Sequence, residues 1–147
     1  MKVYMAADHA GFELKEHLKK YLHEEGYAVI DNGPKEYDKQ DDYPLTTEKT
    51  IKHIDANPQE RAVLICKNGV GVTIFANKFK RVRAGLSWTP HHAKSHKLDD
   101  HTNILTLPAA YITPQKAVEI TLAWLQTLPS AEPRHERRIR QIEELSA

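Results

Sequence analysis

Short apolar runs alternate along this chain with stretches whose apolar positions recur every three or four residues. Lys2 to Ala7 is such a run and ends at Asp8-His9. From Gly11 to Glu25, Leu14, Leu18, Tyr21 and Leu22 keep helical spacing until Gly26 stops it. Tyr27 to Asp31 is a second strand, closed by Asn32-Gly33-Pro34, and Thr46 to Ala56 a second helix. Ala62 to Ile65 is a third strand ending at Cys66, followed by a glycine turn and a helix carrying Ile74, Phe75, Asn77 and Lys78. Ala84 to Ser87 and Asn103 to Leu107 complete five strands, separated by a helix from His91 to about Leu98. Thr113 to Leu128 is helical, and Pro133 opens a charged terminal helix over about 133–145. Strands alternating with helices predict an α/β, doubly wound fold: one five-stranded parallel sheet flanked by helices. In such sheets ligands bind at the carboxyl ends of the strands. Asp8, His9, Cys66 and the 99–103 segment are expected at those ends, with Asp42 on the same side.

The stretch AVLICKNGVGVTIFANK, residues 62–78, carries the strongest chemical signal. A strand that stops at a thiol and bends through Gly69 and Gly71 puts Cys66 at a helix N-terminus. That environment favours the thiolate. The same backbone N–H groups can hold a phosphate or a developing oxyanion. A buried structural cysteine is the competing account, since unpaired cysteine often behaves as a small hydrophobe.

Composition narrows the class. The 147 residues are one domain's worth, 1–147, and 21 Lys and Arg nearly balance 20 Asp and Glu. No strong field therefore points to nucleic acid or to a membrane surface. One cysteine excludes an internal disulfide and fits a reducing cytosol, so a cytoplasmic protein is expected. The N-terminus has no apolar stretch of signal-peptide length before Asp8, and no apolar run is long enough to span a bilayer.

Six motifs occur in order: Asp8-His9-Ala10-Gly11, Asp42-Tyr43-Pro44, Cys66-x-x-Gly69-Val70-Gly71, Ala76-Asn77-Lys78, Thr102-Asn103 and Arg134-His135-x-x-Arg138. Together they resemble the type B ribose-5-phosphate isomerase family, which also contains the galactose-6-phosphate isomerase subunits. The resemblance implies a Rossmann-like domain and a homodimer, or a tetramer, with active sites at the subunit interface. It implies aldose–ketose isomerisation of a phosphorylated sugar through an enediolate, without cofactor or metal. Cys66 would be the base, and the turn with Lys67, Asn68, Gly69, Val70 and Gly71 would donate to the enediolate. Asp8, His9, Asp42, Tyr43, Asp100 and Asn103 would line the sugar. His9, with Arg134 and Arg138 from the partner subunit, would hold the phosphate. Arg134 and Arg138 stand four residues apart, so both guanidinium forks can face one anion. A solvated basic helix is the plainer account of that segment.

The departures bear on chemistry. The family's Cys-Gly-Thr/Ser-Gly turn reads Cys66-Lys67-Asn68-Gly69, and Asn68 can donate but cannot relay a proton as a hydroxyl does. The ring-opening histidine position is Asp99, the following asparagine is Asp100, and an arginine after the fifth strand is replaced at Ala110. His101 is expected to stand in for the missing histidine, so Cys66, Asn68, Asp99 and His101 are the candidate catalytic set. A changed sugar phosphate, or a binder that has lost turnover, would equally fit these changes. His91, His92 and His96 share one helix, but no HExxH signature or third ligand completes a metal site, and a solvated histidine-rich helix is expected.

Overall fold

The computed structural model describes residues 1–146. Five strands, β1 (Lys2–Ala7), β2 (Ala28–Asp31), β3 (Ala62–Cys66), β4 (Ala84–Leu86) and β5 (Ile104–Pro108), form one sheet in the order β2-β1-β3-β5-β4. Every neighbouring pair is parallel. The helices are α1 (Phe12–Glu24), α2 (Tyr43–Ala56), α3 (Val70–Ala76), α4 (Pro90–Asp100), α5 (Pro114–Leu125) and α6 (Pro133–Leu145). A short 3₁₀ turn, His9–Gly11, joins β1 to α1. This is the Rossmann-like α/β arrangement that the alternating pattern predicts. The strand order reverses between β1 and β3, and the crevice at such a reversal is where this architecture binds ligands.

Side-chain parity along the strands sorts the core into two layers. Val3, Met5, Val63 and Ile65 face α1 and α5, where Leu14, Leu18 and Trp124 meet them. Tyr4, Ala6, Leu64 and Cys66 face the other way, with Ile51 and Ile54 of α2 and Val72 of α3. This alternation decides the side of the sheet on which the thiol emerges: with Tyr43 and the glycine turn, away from α1.

Several element ends differ from the sequence reading, and two differences matter for the site. The second helix starts at Tyr43, with Pro44 in its first turn, where a missing N–H costs nothing. The fourth helix runs on to Asp100, so Asp99 and Asp100 belong to its last turn. Thr89 caps its start by accepting from His92 N at 3.2 Å. The histidines of this helix are not all solvated. His96 is buried, its Nδ1 2.8 Å from Thr102 Oγ1, which also accepts from Trp124 Nε1 at 2.9 Å. Burial pushes the His96 imidazole down to about 4. His92 stacks on Trp88 at 4.6 Å, and only His91 projects fully to solvent. Among the described residues no three His, Cys, Asp or Glu side chains converge as metal ligands, and no helix is long and apolar enough to cross a membrane.

The β1–α1 turn is set tightly on β3. A Cβ on Gly11 would lie 2.6 Å from Ile65 Cγ2 and 2.8 Å from the Ile65 carbonyl oxygen. Gly11→Ala should therefore force the turn off the strand and destabilise the fold by about 1–3 kcal/mol, the usual cost of overpacking. Urea unfolding measures it; an unmoved midpoint would mean that the turn has slack.

Candidate functional site

Asp8, Tyr43, Cys66, Lys67, Asn68, Val70, Gly71 and Ile74 line one recess of about 370 Å³ at the carboxyl edge of the sheet. It opens beside the β1/β3 reversal, because Asp8 follows β1 and Cys66 ends β3. The register holds the two together: Ala7 pairs with Ile65, and Asp8 N donates to Ile65 O at 3.3 Å. Asp8 caps the 3₁₀ turn through Oδ1, which accepts from Gly11 N at 3.1 Å. Burial, reinforced by the nearby Asp41 carboxylate, holds the Asp8 carboxyl above its ordinary range, against the opposing Gly11 N–H and His9.

The Cys66 turn is shaped by two glycines. Gly69 has φ 75, a left-handed conformation, and a Cβ there would meet Leu86 Cδ1 at 2.5 Å. Gly71 lets the Tyr43 ring rest on the helix start, since a Cβ would lie 2.4 Å from Tyr43 Cζ. Thr73 Oγ1 donates to Gly69 O at 2.7 Å and lies 2.6 Å from Thr106 Oγ1, tying the turn to β5. Lys67 does not take the backbone role of a glycine: among the described residues His101 alone besides glycines has positive φ, so Lys67 is unstrained and its exposed side chain borders the recess. Asn68 Oδ1 accepts from Val70 N at 3.0 Å. That bond fixes the amide and leaves its two Nδ2 hydrogens as donors at the recess.

His9 stands one residue from Asp8, with Nδ1 2.8 Å from Asp41 Oδ1. The His9 backbone N also donates to that oxygen at 2.8 Å. The hydrogen bond to Asp41 raises the imidazole above its ordinary 6.5. The acid that reaches this neighbourhood is thus Asp41. Asp42, expected beside the sugar, sits exposed at the N-cap of α2, makes no side-chain cap bond and lies outside the recess lining. The dipeptide offers two acids, and which one turns inward depends on the loop, where Asp41 N bonds to Asp38 O.

The other predicted site residues lie at the opposite edge of the sheet, which corrects the expectation that 99–103 would gather at the carboxyl ends. Helices here run antiparallel to their strands, so the last turn of α4 reaches the amino edge. Asn103 O accepts from Ala62 N at the start of β3, whereas Cys66 ends that strand four residues on, roughly 13 Å away at about 3.3 Å per residue. Asn103 is buried and fully engaged with backbone: Oδ1 accepts from Arg83 N at 2.8 Å, and Nδ2 donates to Pro58 O and Arg81 O at 3.2 and 2.9 Å. It has no group left for a sugar, so it is structural in this chain. Asp99, Asp100 and His101 close α4 at the same edge, and α6 presents Arg134 and Arg138 beside them. Arg134 Nε pairs with Glu132 at 2.7 Å, and the Arg138 side chain is exposed.

The family described as Ribose/Galactose Isomerase matches residues 3–142. A probable ribose-5-phosphate isomerase B of Mycoplasma pneumoniae is 36% identical over 140 residues, 95% of this chain and 91% of that protein. The ribose 5-phosphate isomerase of Thermotoga maritima superposes with TM-score 0.91 at 38% identity, over 97% of both chains. The ribose-5-phosphate isomerase B of Mycoplasma genitalium, solved with bound ribulose-5-phosphate, superposes with TM-score 0.93 at 31% identity, over 98% of this chain and 95% of that one.

The His9–Asp41 pair has a pH signature. Because Asp41 raises the folded His9 pKa, the pair's stabilisation is fully present below the ordinary 6.5 and is lost as pH rises through the folded value. An NMR titration of the imidazole should find His9 deprotonating at higher pH in the native chain than in Asp41→Asn. Equal midpoints in the two proteins would dismiss the pairing in solution.

Proposed function

The chain belongs to the ribose/galactose isomerase family, and we propose that it interconverts the aldose and ketose forms of a phosphorylated sugar through an enediolate. One observation carries the reading: a thiol, a second titratable group and a set of fixed N–H donors converge on a single recess at the β1/β3 reversal. Cys66 as thiolate takes the proton from C2, leaving an enediolate across C1 and C2, and returns it to C1. The oxygens exchange a proton in the same turnover, from O2 to O1, so that C2 becomes the carbonyl. Backbone N–H groups of the 68–71 turn other than that of Val70, with the Asn68 Nδ2 group, oppose the negative charge while it exists. The Lys67 ammonium at the rim adds to that opposition. Asn68 cannot carry the O2-to-O1 proton, so that transfer falls to Asp8, the buried carboxyl lining the same recess.

The phosphate is held by His9 and by Arg134 and Arg138 of a second copy. Support comes from the division of the groups: the thiol and the arginines lie at opposite edges of one sheet, and a two-fold pair of chains can bring one edge of each against the other. The relatives' names support ribose 5-phosphate and its ketose as the substrate class. One free cysteine, buried and unbridged, supports a cytoplasmic setting.

Cys66→Ala should abolish ketose formation from ribose 5-phosphate, and from any hexose 6-phosphate that the native chain turns over, while thermal stabilisation by the same sugars persists. Turnover at the native rate would make Cys66 structural. Arg138→Ala should weaken binding of phosphorylated ligands about tenfold, as loss of a charge-assisted bond worth about 1.5–3 kcal/mol requires. Assayed at substrate well below KM, refolding Cys66→Ala together with Arg138→Ala should then restore about a quarter of the native activity, because half of the random pairs are mixed and each mixed pair holds one intact site. Activity no higher than the sum of the separate variants would refute a site shared between chains.

A further inference from the structure

We propose that Asp99 and His101 are positioning residues: they latch the N-terminal end of α6 to α4 and so fix where Arg134 and Arg138 stand. The proposal rests on the phosphate role given above to those arginines. It starts from how weakly α6 is otherwise held. Of its thirteen residues only one, His135, is buried. Beneath the later part of the helix a cavity of 460 Å³ separates Ile139 and Ile142 from Phe79, Val82 and Gly85. At the far end the one ion pair among the described residues is Arg83 Nη1 to Glu143 Oε1, at 3.6 Å between partly exposed groups. With both side chains open to water that pair contributes little, whereas the His135–Asp99 pair, at the same 3.6 Å, has its imidazole buried. The helix therefore takes its position from its first turn.

That first turn and the loop leading into it meet the end of α4 at three points. Ser130 N donates to Leu98 O at 3.0 Å. His101 Nε2 lies 2.8 Å from Ser130 O, a carbonyl that can only accept, so Nε2 carries the proton. His135 Nε2 lies 3.6 Å from Asp99 Oδ1, while its Nδ1 is buried with no partner. A proton on Nε2 faces the carboxylate and leaves only a lone pair at the orphaned Nδ1, which is the less costly arrangement. His101 supplies a second mark of purpose. Among the described residues it is the one non-glycine with positive φ, at φ 50 and ψ 45, closing α4. Left-handed backbone at such a residue is strained and persists where surrounding contacts hold it, here the bond to Ser130 and the Arg83 Nε–H that donates to His101 O at 3.1 Å.

Arg134 is the neighbour of His135, and Arg138 lies one turn further along the same helix. Moving His135 moves both guanidinium groups. Asp99 thus reaches the substrate through His135 and the arginines, and its carboxyl takes no part in proton transfer at the sugar.

The test separates these roles by kinetics. Asp99→Ala should raise KM for the phosphorylated sugar about tenfold, with kcat within about twofold of native. Asp99→Asn keeps an acceptor for His135 Nε2–H and should bring KM back to within about threefold, with kcat again unchanged. In an Arg138→Ala background, Asp99→Ala should add less than about twofold to KM, since both changes act through one contact. Hydrogen exchange should show α6 amides opening faster in Asp99→Ala than in native protein, and no faster elsewhere. A large fall in kcat for both Asp99 variants would overturn the proposal and make Asp99 an acid at the sugar; so would a full tenfold effect added to Arg138→Ala, or unchanged α6 exchange. The exchange measurement needs no turnover. If the native chain isomerises no phosphorylated sugar, the functional reading fails while the latch is still decided.

Discussion

A parallel strand and the helix that follows it run in opposite directions, and that constraint governs everything else in this molecule. Groups placed where a strand ends and its helix begins collect at the carboxyl edge of the sheet. Groups placed where a helix ends and the next strand begins collect at the amino edge. Asp8, His9, Tyr43 and Cys66 fall in the first class. Asp99, Asp100, His101 and Asn103 fall in the second, and α6 joins them because its approach is bonded to the end of α4. No loop adjustment moves a residue from one edge to the other without unwinding a strand.

Within the carboxyl edge, precision comes from close approach. Gly11 lets the first turn lie on Ile65, Gly69 lets the thiol turn pass over Leu86, and Gly71 admits the ring of Tyr43. Each of these contacts leaves no space for one methyl group. The recess they frame is small, and its groups are held by backbone geometry more than by side-chain pairing. Beside it Lys15 is wholly buried, its ammonium set between Asp31, Glu16 and the Pro34 carbonyl, which steadies the end of β2. Removing one member of such a group would strand a buried charge.

Much of this was legible from the chain alone. The alternation of apolar runs and helical repeats is a local signal, and it specifies the parallel sheet because both faces of each strand are covered. The glycines around Cys66 announced a sharp turn at a strand end. What stayed hidden was orientation. Asp41 and Asp42 are adjacent and chemically equal, and the fold of a polar loop decides which meets His9. Thr102-Asn103 reads as chemistry in the sequence, yet the Asn103 amide bonds three backbone groups far apart in sequence, a use no local pattern reveals. The buried state of His96 was equally hidden, because it depends on Gly85 leaving room for the ring and on Thr102 and Trp124 meeting behind it.

The distance between the two edges has a consequence for how activity depends on amount. A site assembled from the carboxyl edge of one chain and the amino edge of another does not exist in a lone chain. If the site is shared between two chains as proposed, then well below the pairing constant the number of complete sites would rise with the square of the protein present, and dilution alone would switch catalysis off. Sugar phosphate bridging both chains would pull them together, so substrate would act as the glue of its own enzyme, protecting against dilution in proportion to its own abundance.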